Sequence, residues 1–515
     1  LDSNINPEDN IVINFKIKNY GSESVNNLMG EIVLTDESVS ITNPNFIIEN
    51  TISSNSISDI ISIQGTISNN IFKKEIAAEV VLTYENESWI FPISFIINAP
   101  DIDIVDLTTS DNQSFLIPDM ENHVNFIFSN HGSITSSPML VNFSTDHPFI
   151  DLTLQDINLP SIISGEEYLE LTPINISVNY QAYSGLQIPI TVTFINDNNI
   201  VASKIFQIYI GEVGSNDPMG PDTYGYYIYD FNDVLYSSVP MYNWIEIDPY
   251  LAGLGTILID LDDNGENQDD VTFVNLPFDF QFYGELYEQI SISTNGWLKP
   301  GLTNQSSFRN WRLPGPGGPS PMIAAFWDDL ETDSGRICVD YNAENHQYIV
   351  EWSQVENGFN GSSETFQIII YDRDYYPTVT GDNIIKIQYK EFNNVNSGHY
   401  DIYNQWHGNY ASIGIENEYG DVGLEYTWNN EYPLTSSMLS NESAILITTN
   451  PPTILNQMLG DMNQDSILDI LDIVTMIQVI IYNNNEIGVL IGDINQDSSL
   501  DILDVVLLVN TILDF

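Results

Sequence analysis

Hydrophobic and polar residues alternate in short runs through the first 450 residues, and Asn, Gly, Ser and Pro interrupt the runs at short intervals. Because successive side chains of a β-strand point to opposite faces, such alternation predicts strands with one buried face. Many short strands separated by turn residues are typical of antiparallel sandwiches. The pattern therefore predicts a mainly β, multidomain protein built from antiparallel β-sandwiches.

Two segments of this region repeat each other: INFKIKNYGS begins at Ile13, and VNFIFSNHGS begins 111 residues later at Val124. In each, apolar residues occupy every second position, and Asn-x-Gly at the end indicates a turn. The spacing is that of one sandwich domain. We expect two such domains, residues 1–99 and 100–213. They resemble the Ig-like, CARDB-type domains of secreted bacterial proteins.

Residues 214–450 form a region rich in aromatic side chains, which we call the aromatic module. Its motifs FQFYG, STNGWL, IAAFWDDL, FQIII and GIENE follow one another in order. The pairs Tyr283-Gly284 and Asn295-Gly296 indicate turns between strands. The predicted core aromatic residues are Phe278, Phe280, Phe282, Trp297, Phe326 and Trp327. The motif set resembles a β-rich module of the nidogen extracellular (NIDO) type, and its lead-in GPDTYGYYIYDFND resembles regions downstream of gingipain-like cysteine peptidase domains.

Charge limits the classes of partner. The chain has 72 acidic and 12 basic residues, for a formal net charge of -60. Nucleic acids and anionic membrane surfaces need a basic face, so neither is an expected partner. No apolar run reaches the roughly 20 residues that span a bilayer, so we expect no transmembrane segment. The acidic excess fits a protein that binds divalent cations or works in saline surroundings, and the two are compatible.

A phrase near the end of the chain occurs twice: GDMNQDSILDILD begins at Gly460 and GDINQDSSLDILD begins at Gly492. Calcium takes six to eight oxygen ligands, which a twelve-residue loop supplies from positions 1, 3, 5, 7, 9 and 12. The residues at these positions of the first loop are Asp461, Asn463, Asp465, Ile467 (through its carbonyl), Asp469 and Asp472. Those of the second loop are Asp493, Asn495, Asp497, Ser499 (through its carbonyl), Asp501 and Asp504. The spacing predicts two Ca²⁺ sites.

An alternative interpretation is two acidic helix N-termini, where Asp is favoured by capping and by the helix dipole. That alternative predicts one or two acids at each site and not the same full set twice. Paired loops of this kind, each followed by one apolar helix, resemble a dockerin domain, here residues 458–515. Two features depart from the family. Position 6 is Ser466 or Ser498 where EF-hand loops have Gly, and loop positions 10 and 11 are apolar where cellulosomal dockerins often carry hydroxyl residues.

Those apolar residues are Ile470, Leu471, Ile502 and Leu503, and the helices that follow them are also apolar on most sides. The two helices can bury part of this surface against each other. Two helices alone cannot cover it all, so we expect a remaining apolar face to bind another surface. The partner is a cohesin-like domain, the chain's own aromatic module or another copy of the chain, so self-assembly is possible. Residues 461–515 contain nine Asp, one Glu and no Lys or Arg, so we expect calcium to drive their folding.

Other candidate sites are weaker. The segment DLDDNGENQDD from Asp260 is either a single cation site or, more simply, a solvated turn. Asp328, Asp329 and Asp333 form another acidic cluster. Adjacent residues on a strand point to opposite faces, so we do not expect Asp328 and Asp329 to act as a catalytic carboxylate pair. Cys338 is the only cysteine, and its strand-like context predicts a buried thiol that is not a nucleophile.

The sequence thus predicts a non-catalytic, extracellular (secreted or cell-surface) bacterial adhesion protein, with a calcium-folded tail that docks onto a partner or a neighbouring subunit. Two alternatives stay open. The chain could be the accessory C-terminal region of a secreted gingipain-like peptidase, or a subunit of a calcium-dependent extracellular filament.

Overall fold

The structure is a computed structural model, which describes residues 5–34, 36, 38–68, 74–152, 156–196, 199–264, 268–358, 361–395, 407–455, 460–463, 468–482, 492, 494 and 500–513. The chain divides into two compact units, Leu1–Glu212 and Val213–Phe515. Both consist mainly of antiparallel sheets, which confirms the predicted fold class at that level.

The first part of the first unit is a sandwich of two sheets. Its strands are β1 (Asn10–Phe15), β2 (Leu28–Leu34), β3 (Val39–Ile41), β4 (Asn45–Ile48), β5 (Ile61–Ile67), β6 (Lys74–Tyr84) and β7 (Glu87–Ile97). One sheet has the order β1-β5-β3 and the other β4-β2-β6-β7. Apolar side chains from both sheets, such as Ile63 and Val80, share one core because they alternate with polar ones along each strand.

The second part of this unit is another sandwich. Its strands are β8 (Ile102–Thr109), β9 (Met120–Asn130), β10 (Met139–Ser144), β11 (Ile150–Leu152), β12 (Asp156–Leu159), β13 (Glu167–Leu169), β14 (Ile174–Val178), β15 (Gln187–Asn196) and β16 (Asn199–Tyr209). One sheet has the order β12-β10-β15-β16; the other has β11-β14-β9-β13, with β8 also paired to β9. The two sheets enclose a core of buried residues such as Phe126 and Phe194.

The aromatic module contains two larger sheets. Its strands are β17 (Tyr227–Tyr229), β18 (Thr256–Ile257), β19 (Val271–Phe282), β20 (Glu285–Ser293), β21 (Trp297–Pro300), β22 (Met322–Trp327), β23 (Leu330–Glu331), β24 (Arg336–Asn342), β25 (Gln347–Asn357), β26 (Ser363–Tyr371), β27 (Ile385–Glu391), β28 (Ser412–Glu416), β29 (Gly423–Thr427) and β30 (Ser443–Thr448). The eight-stranded sheet runs β17-β30-β27-β26-β25-β24-β18, with β23 paired to β25, and the six-stranded sheet runs β19-β20-β21-β22-β28-β29.

Two buried clusters of the module hold the predicted aromatic residues. Phe280, Phe282 and Phe326 lie in the core formed by both sheets, and Trp297 and Trp327 lie in a smaller cluster with Leu313, Met322 and Ala324. Phe280, Phe282, Trp297, Phe326 and Trp327 are fully buried, whereas Phe278 is only partly buried. The predicted turn at Tyr283-Gly284 is confirmed. These two residues connect β19 to β20 with positive φ values of 50° and 80°, the conformation that a two-residue hairpin turn needs.

The described part of the C-terminal segment, residues 458–515, contains two short helices, α1 (Ile470–Tyr482) and α2 (Ile502–Leu513). Each begins within the last three residues of one of the two repeated phrases. Within the described residues, no helix is both long and apolar enough to cross a membrane. The predicted limits of the four domains stay predictions.

Candidate metal centre and exposed apolar residues of the C-terminal segment

The first predicted calcium loop converges on Asp472, which is fully buried. Its Oδ1 accepts a hydrogen bond from the backbone N–H of Asn463 (3.1 Å), and its Oδ2 accepts one from the N–H of Asp469 (2.9 Å). Asp469 in turn caps α1, because its Oδ1 accepts the N–H of Leu471 at 2.7 Å. Three predicted ligand positions therefore meet around one buried carboxylate.

The second loop repeats this arrangement around Asp504, which is also fully buried. Its Oδ2 accepts the N–H of Asp501 (2.9 Å), and its Oδ1 accepts the N–H of Ile494 (2.9 Å). The Oδ1 of Asp501 caps α2 by accepting the N–H of Leu503 at 2.7 Å. Two of the three hydrogen bonds thus recur at equivalent positions, whereas the third N–H comes from Ile494, one loop position earlier than Asn463.

Glycine begins each phrase because the chain is crowded there. Gly460 has a φ of 95°, and a Cβ at this position would lie 2.5 Å from Cδ1 of Leu508 in α2. A Cβ at Gly492 would lie 2.6 Å from Cδ1 of Leu500. The start of the first loop therefore packs against the second helix, which ties the two repeats into one small core around Met462, Met476 and Leu508.

The predicted ligands within the described residues include carboxylates, a donor type that calcium takes. Asp461, Asp472 and Asp504 are all buried, and residues 461–515 contain no Lys or Arg that could neutralise them. Burying carboxylates without a compensating cation is costly. Among the described residues, no group of three or more His, Cys, Asp or Glu side chains lies close enough to hold a metal ion. The predicted ligands that lie outside the described residues are Asp465, Ile467, Asp493, Asn495, Asp497 and Ser499.

The four residues predicted to bind a partner are exposed. Ile470 and Leu471 have 68% and 55% of their surface exposed, and Ile502 and Leu503 have 64% and 56%. Each pair opens a helix one residue after the capping Asp. The helices bury one face against each other and leave these side chains outside that contact.

Burial also raises the pKa of several acids in the aromatic module. It raises the pKa of Asp328 well above its usual range. Burial, with the Glu246 carboxylate as a second cause, raises the pKa of Glu351 to about 8. Burial likewise raises the pKa of Glu364 to about 8, although the N–H groups of Asn393 and Asn394 oppose the shift. Backbone and side-chain hydrogen bonds hold these groups inside the module.

Cys338 is buried, as predicted, and burial raises the pKa of its thiol to about 12. A thiol in that state is a poor nucleophile.

One feature of the module was not predicted from the sequence. An extended segment, residues 241–248, crosses the eight-stranded sheet and is held by side chains from three neighbouring strands. The amide of Gln388 bonds both N–H and C=O of Asn243 (2.7 and 2.8 Å), Gln367 donates to the carbonyl of Ile245 (3.1 Å), and Glu351 accepts the N–H of Ile247 (3.2 Å). Buried polar residues at every second position of β25–β27 were the only available signal.

A small cavity of about 260 Å³ opens at the other sheet, near the β19–β20 turn. Tyr224, Tyr283 and Tyr287 line it together with the carboxylates of Glu285 and Glu418. The hydroxyls of Tyr224 and Tyr283 donate to Asp382 and Asp222, each at 2.7 Å, which fixes the two rings. The sequence indicated an aromatic region but not this cavity.

The fold defines a protein of several antiparallel β-sheets with a short helical C-terminal segment. Within it, residues 255–453 match the family model described as NIDO related, which supports the predicted NIDO-like module. The likeness to dockerins, to CARDB-type domains and to regions of gingipain-like peptidases stays a prediction. No curated protein sequence matches the chain.

Three matching solved structures are all distant from this chain in sequence and in TM-score. A transglutaminase from red sea bream is 7% identical, with a TM-score of 0.26, over 41% of this chain and 30% of its own. The YadV chaperone is 10% identical, with a TM-score of 0.15, over 40% of this chain and 96% of its own. Escherichia coli alpha-2-macroglobulin is 10% identical, with a TM-score of 0.18, over 44% of this chain and 17% of its own. TM-scores this low support no conclusion about function.

Proposed function

We propose that this protein is a non-catalytic, extracellular binding and attachment protein whose calcium-folded C-terminal segment docks onto another protein. The observation that carries the proposal is the repeated arrangement at the two helix starts. In both repeats a buried Asp organises the loop, a second Asp caps the helix, and the next two residues are an exposed Ile-Leu pair.

Calcium is the proposed folding ligand of the segment. Asp461, Asp472 and Asp504 would supply buried carboxylate oxygens, and Asn463, Asp469 and Asp501 further oxygens near them. The cation would neutralise the acids and fix the loop that precedes each helix. Millimolar calcium outside cells would keep such sites filled even if their affinity were modest, which supports an extracellular location.

The exposed Ile-Leu pairs are the proposed contact residues. Large apolar side chains beside one another on a surface mark interaction sites more often than isolated ones do. Acidic residues lie beside both pairs, and the whole chain carries a charge of -60. Charge complementarity therefore favours a partner with an apolar patch and a basic rim over a second copy of this chain.

The test is photo-crosslinking of the full chain to extracted surface proteins of the source cells. A benzoylphenylalanine replaces Leu471 or Leu503, or the exposed Tyr419 of the aromatic module as a control. We expect one adduct of defined mass from positions 471 and 503, formed in millimolar calcium, absent in chelator, and absent from position 419. Competition by unlabelled wild-type chain should remove the adduct, whereas the Ile470→Ser/Leu471→Ser/Ile502→Ser/Leu503→Ser variant should not compete.

Adducts that form equally in chelator, or that the serine variant removes as well as the wild type does, would contradict docking through these residues. Sedimentation velocity of the same samples measures whether the chain associates with itself. Concentration-dependent oligomers or filaments that appear only with calcium would show that the partner is a second copy of this chain and not a different protein.

A further inference from the structure

The cavity near the β19–β20 turn is built by three segments that are far apart in the chain. Tyr224 comes from the lead-in motif GPDTYGYYIYDFND. Tyr283, Glu285 and Tyr287 lie at the turn between β19 and β20, and Glu418 lies between β28 and β29. Aromatic rings and carboxylates from separate motifs thus converge on one small space, which the proposed docking through the C-terminal segment does not use.

Hydrogen bonds to two acids fix the rings of Tyr224 and Tyr283. Asp382, which is fully buried, accepts the hydroxyl of Tyr224 (2.7 Å) and the N–H of Gly284 (2.9 Å). Asp222 accepts the hydroxyl of Tyr283 (2.7 Å) and the N–H of Tyr224 (3.0 Å). The two ring centroids are 5.2 Å apart. The rings therefore form a fixed aromatic wall, and the carboxylates behind it favour a cation over an anion in the cavity.

Two further carboxylates line the cavity and are exposed to solvent, those of Glu285 and Glu418. Within the described part of the chain, neither forms an ion pair. Both act on Tyr287, because burial raises the pKa of its hydroxyl to about 12, with Glu418 and Glu285 as the next causes. The charge of Glu418 also reaches Lys299, whose Nζ donates to the carbonyl of Pro300 (2.9 Å). A surplus of negative charge remains beside the rings.

The size and lining of the cavity limit the kind of cation. Its volume of about 260 Å³ is below the roughly 300–1,000 Å³ of pockets that hold drug-sized ligands, so a small ligand fits it. In the part of the chain that the structure describes, no three His, Cys, Asp or Glu side chains cluster closely enough to hold a metal ion. A primary ammonium group has three N–H donors to satisfy, whereas a quaternary ammonium group has none and binds well against aromatic rings. The lining therefore favours a methylated organic cation.

We propose that this cavity binds a small organic cation with a methylated ammonium group. The ammonium group lies against the rings of Tyr224, Tyr283 and Tyr287, and Glu285 and Glu418 supply the opposite charge. A ligand that carries its own anionic group beside the ammonium is disfavoured, because the two carboxylates repel it. The cavity is distinct from the docking residues of the C-terminal segment, so either proposal can fail without the other.

The experiment is a calorimetric titration of the full chain with choline, in millimolar calcium and about 0.15 M salt, which screens non-specific attraction to the acidic surface. We expect saturable one-to-one binding. The neutral isostere 3,3-dimethylbutanol has nearly the same shape without the charge, and it should bind at least about tenfold more weakly. Phosphocholine should also bind more weakly than choline, because its phosphate meets the two carboxylates.

Variants of the lining test the two parts of the site separately. Tyr287→Leu should weaken choline binding at least about tenfold, whereas Tyr287→Phe, which keeps the ring, should bind as the wild type does. Glu285→Gln/Glu418→Gln should weaken choline binding by a similar factor and leave the binding of 3,3-dimethylbutanol unchanged. Glu344→Gln, at an exposed position between β24 and β25, is the control for loss of an acidic charge elsewhere.

Retained binding by the Tyr287→Phe variant shows that a loss in the Tyr287→Leu variant comes from the ring and not from misfolding. Equal affinity for choline and its neutral isostere would overturn the cation site. Choline binding that all variants share would show that choline is only a counterion of an acidic chain. No binding of choline to the wild type would overturn the proposal, and much tighter binding of a trimethyllysine peptide would show that the ligand is a modified protein and not a small free cation.

Discussion

The aromatic module and the C-terminal segment both bury carboxylates, but by different means. In the module, Glu351 and Glu364 accept backbone N–H bonds and have pKa values raised to about 8 by burial, so each holds a proton at neutral pH. Asp248 lies against Arg336, which forms an ion pair with it. In the C-terminal segment, Asp472 and Asp504 are as deeply buried and also accept backbone N–H bonds, yet no basic residue occurs between 461 and 515.

The contrast indicates that the two regions depend on different solution conditions. Protons and an arginine stabilise the buried acids of the module, so its stability should depend on pH and not on calcium. Under the proposed function, a divalent cation neutralises the acids of the C-terminal segment. Its folding should therefore depend on calcium.

Chelation of calcium should have the largest effect on the folding of the C-terminal segment. Removing calcium should abolish the slow hydrogen exchange of α1 and α2 completely, because the loop acids then repel one another without a counterion. Exchange in β25 and β26 of the module should not change. Hydrogen-exchange mass spectrometry of the full chain, with and without chelator, measures both regions in one sample, and magnesium in excess serves as the control for ionic strength. Protection of the helices that persists in chelator would refute the contrast.

Loss of one buried carboxylate should have the next largest effect. Asp472→Ala and Asp504→Ala should each weaken calcium binding by roughly 100-fold, or about 3 kcal/mol, since each removes a ligand and leaves backbone N–H groups unpaired. Asn510→Ala, on the exposed side of α2, is the matched control and should bind as the wild type does. Calcium titrations monitored by circular dichroism measure the change. Equal midpoint calcium concentrations for all three variants would show that these acids do not bind calcium.

Glu351→Gln should change how the stability of the aromatic module depends on pH. The pKa of Glu351 is about 8 in the folded state against about 4.5 when unfolded, so the unfolded state loses its proton first as pH rises. Stability therefore falls between pH 4.5 and 8, by up to roughly 3 to 5 kcal/mol for this group. Glutamine mimics the protonated acid, so the variant should be more stable than the wild type at pH 8 and similar to it at pH 4.5.

Urea unfolding at the two pH values, followed by tryptophan fluorescence, measures the free energy of unfolding of the module. Glu344→Gln, at an exposed position between β24 and β25, is the control and should change neither value. A Glu351→Gln variant that is destabilised at pH 8 would mean that the glutamate is ionised when folded.

A pair of glycine variants should have the smallest effect. Gly460→Ala combines a φ of 95° with a contact to Leu508, whereas Gly492→Ala meets only side-chain atoms of Leu500 and Met462. Alanine at 460 should cost about 1 to 2 kcal/mol of the calcium-bound segment's stability. Alanine at 492 should cost less, because leucine and methionine side chains can move. Thermal unfolding in calcium ranks the two, and the reverse order would contradict the packing of Gly460 against α2.

Local patterns predicted much of this fold. Alternation indicated the sheets, Tyr283-Gly284 indicated a hairpin turn, and five of the six named aromatic residues are fully buried. These features depend on residues close in sequence or on burial alone. The two helix starts were predictable for the same reason, since Asp469 and Asp501 cap them from two residues away.

Other features could not be predicted, because they depend on residues far apart in the chain. The segment 241–248 is held by Gln388, about 145 residues away, through side-chain bonds that leave no periodic pattern in the segment itself. Phe278 was expected in the core but is only partly buried, and the alternation of β19 gives no sign of the difference.

Calcium titration by isothermal calorimetry counts the ions that the chain binds. We expect two calcium ions per chain, one fewer after Asp472→Ala or Asp504→Ala at calcium concentrations that saturate the remaining site, and none after both. Binding heats that are absent from the wild type, or a stoichiometry of two that survives in the double variant, would contradict the claim that these repeated loops are calcium sites.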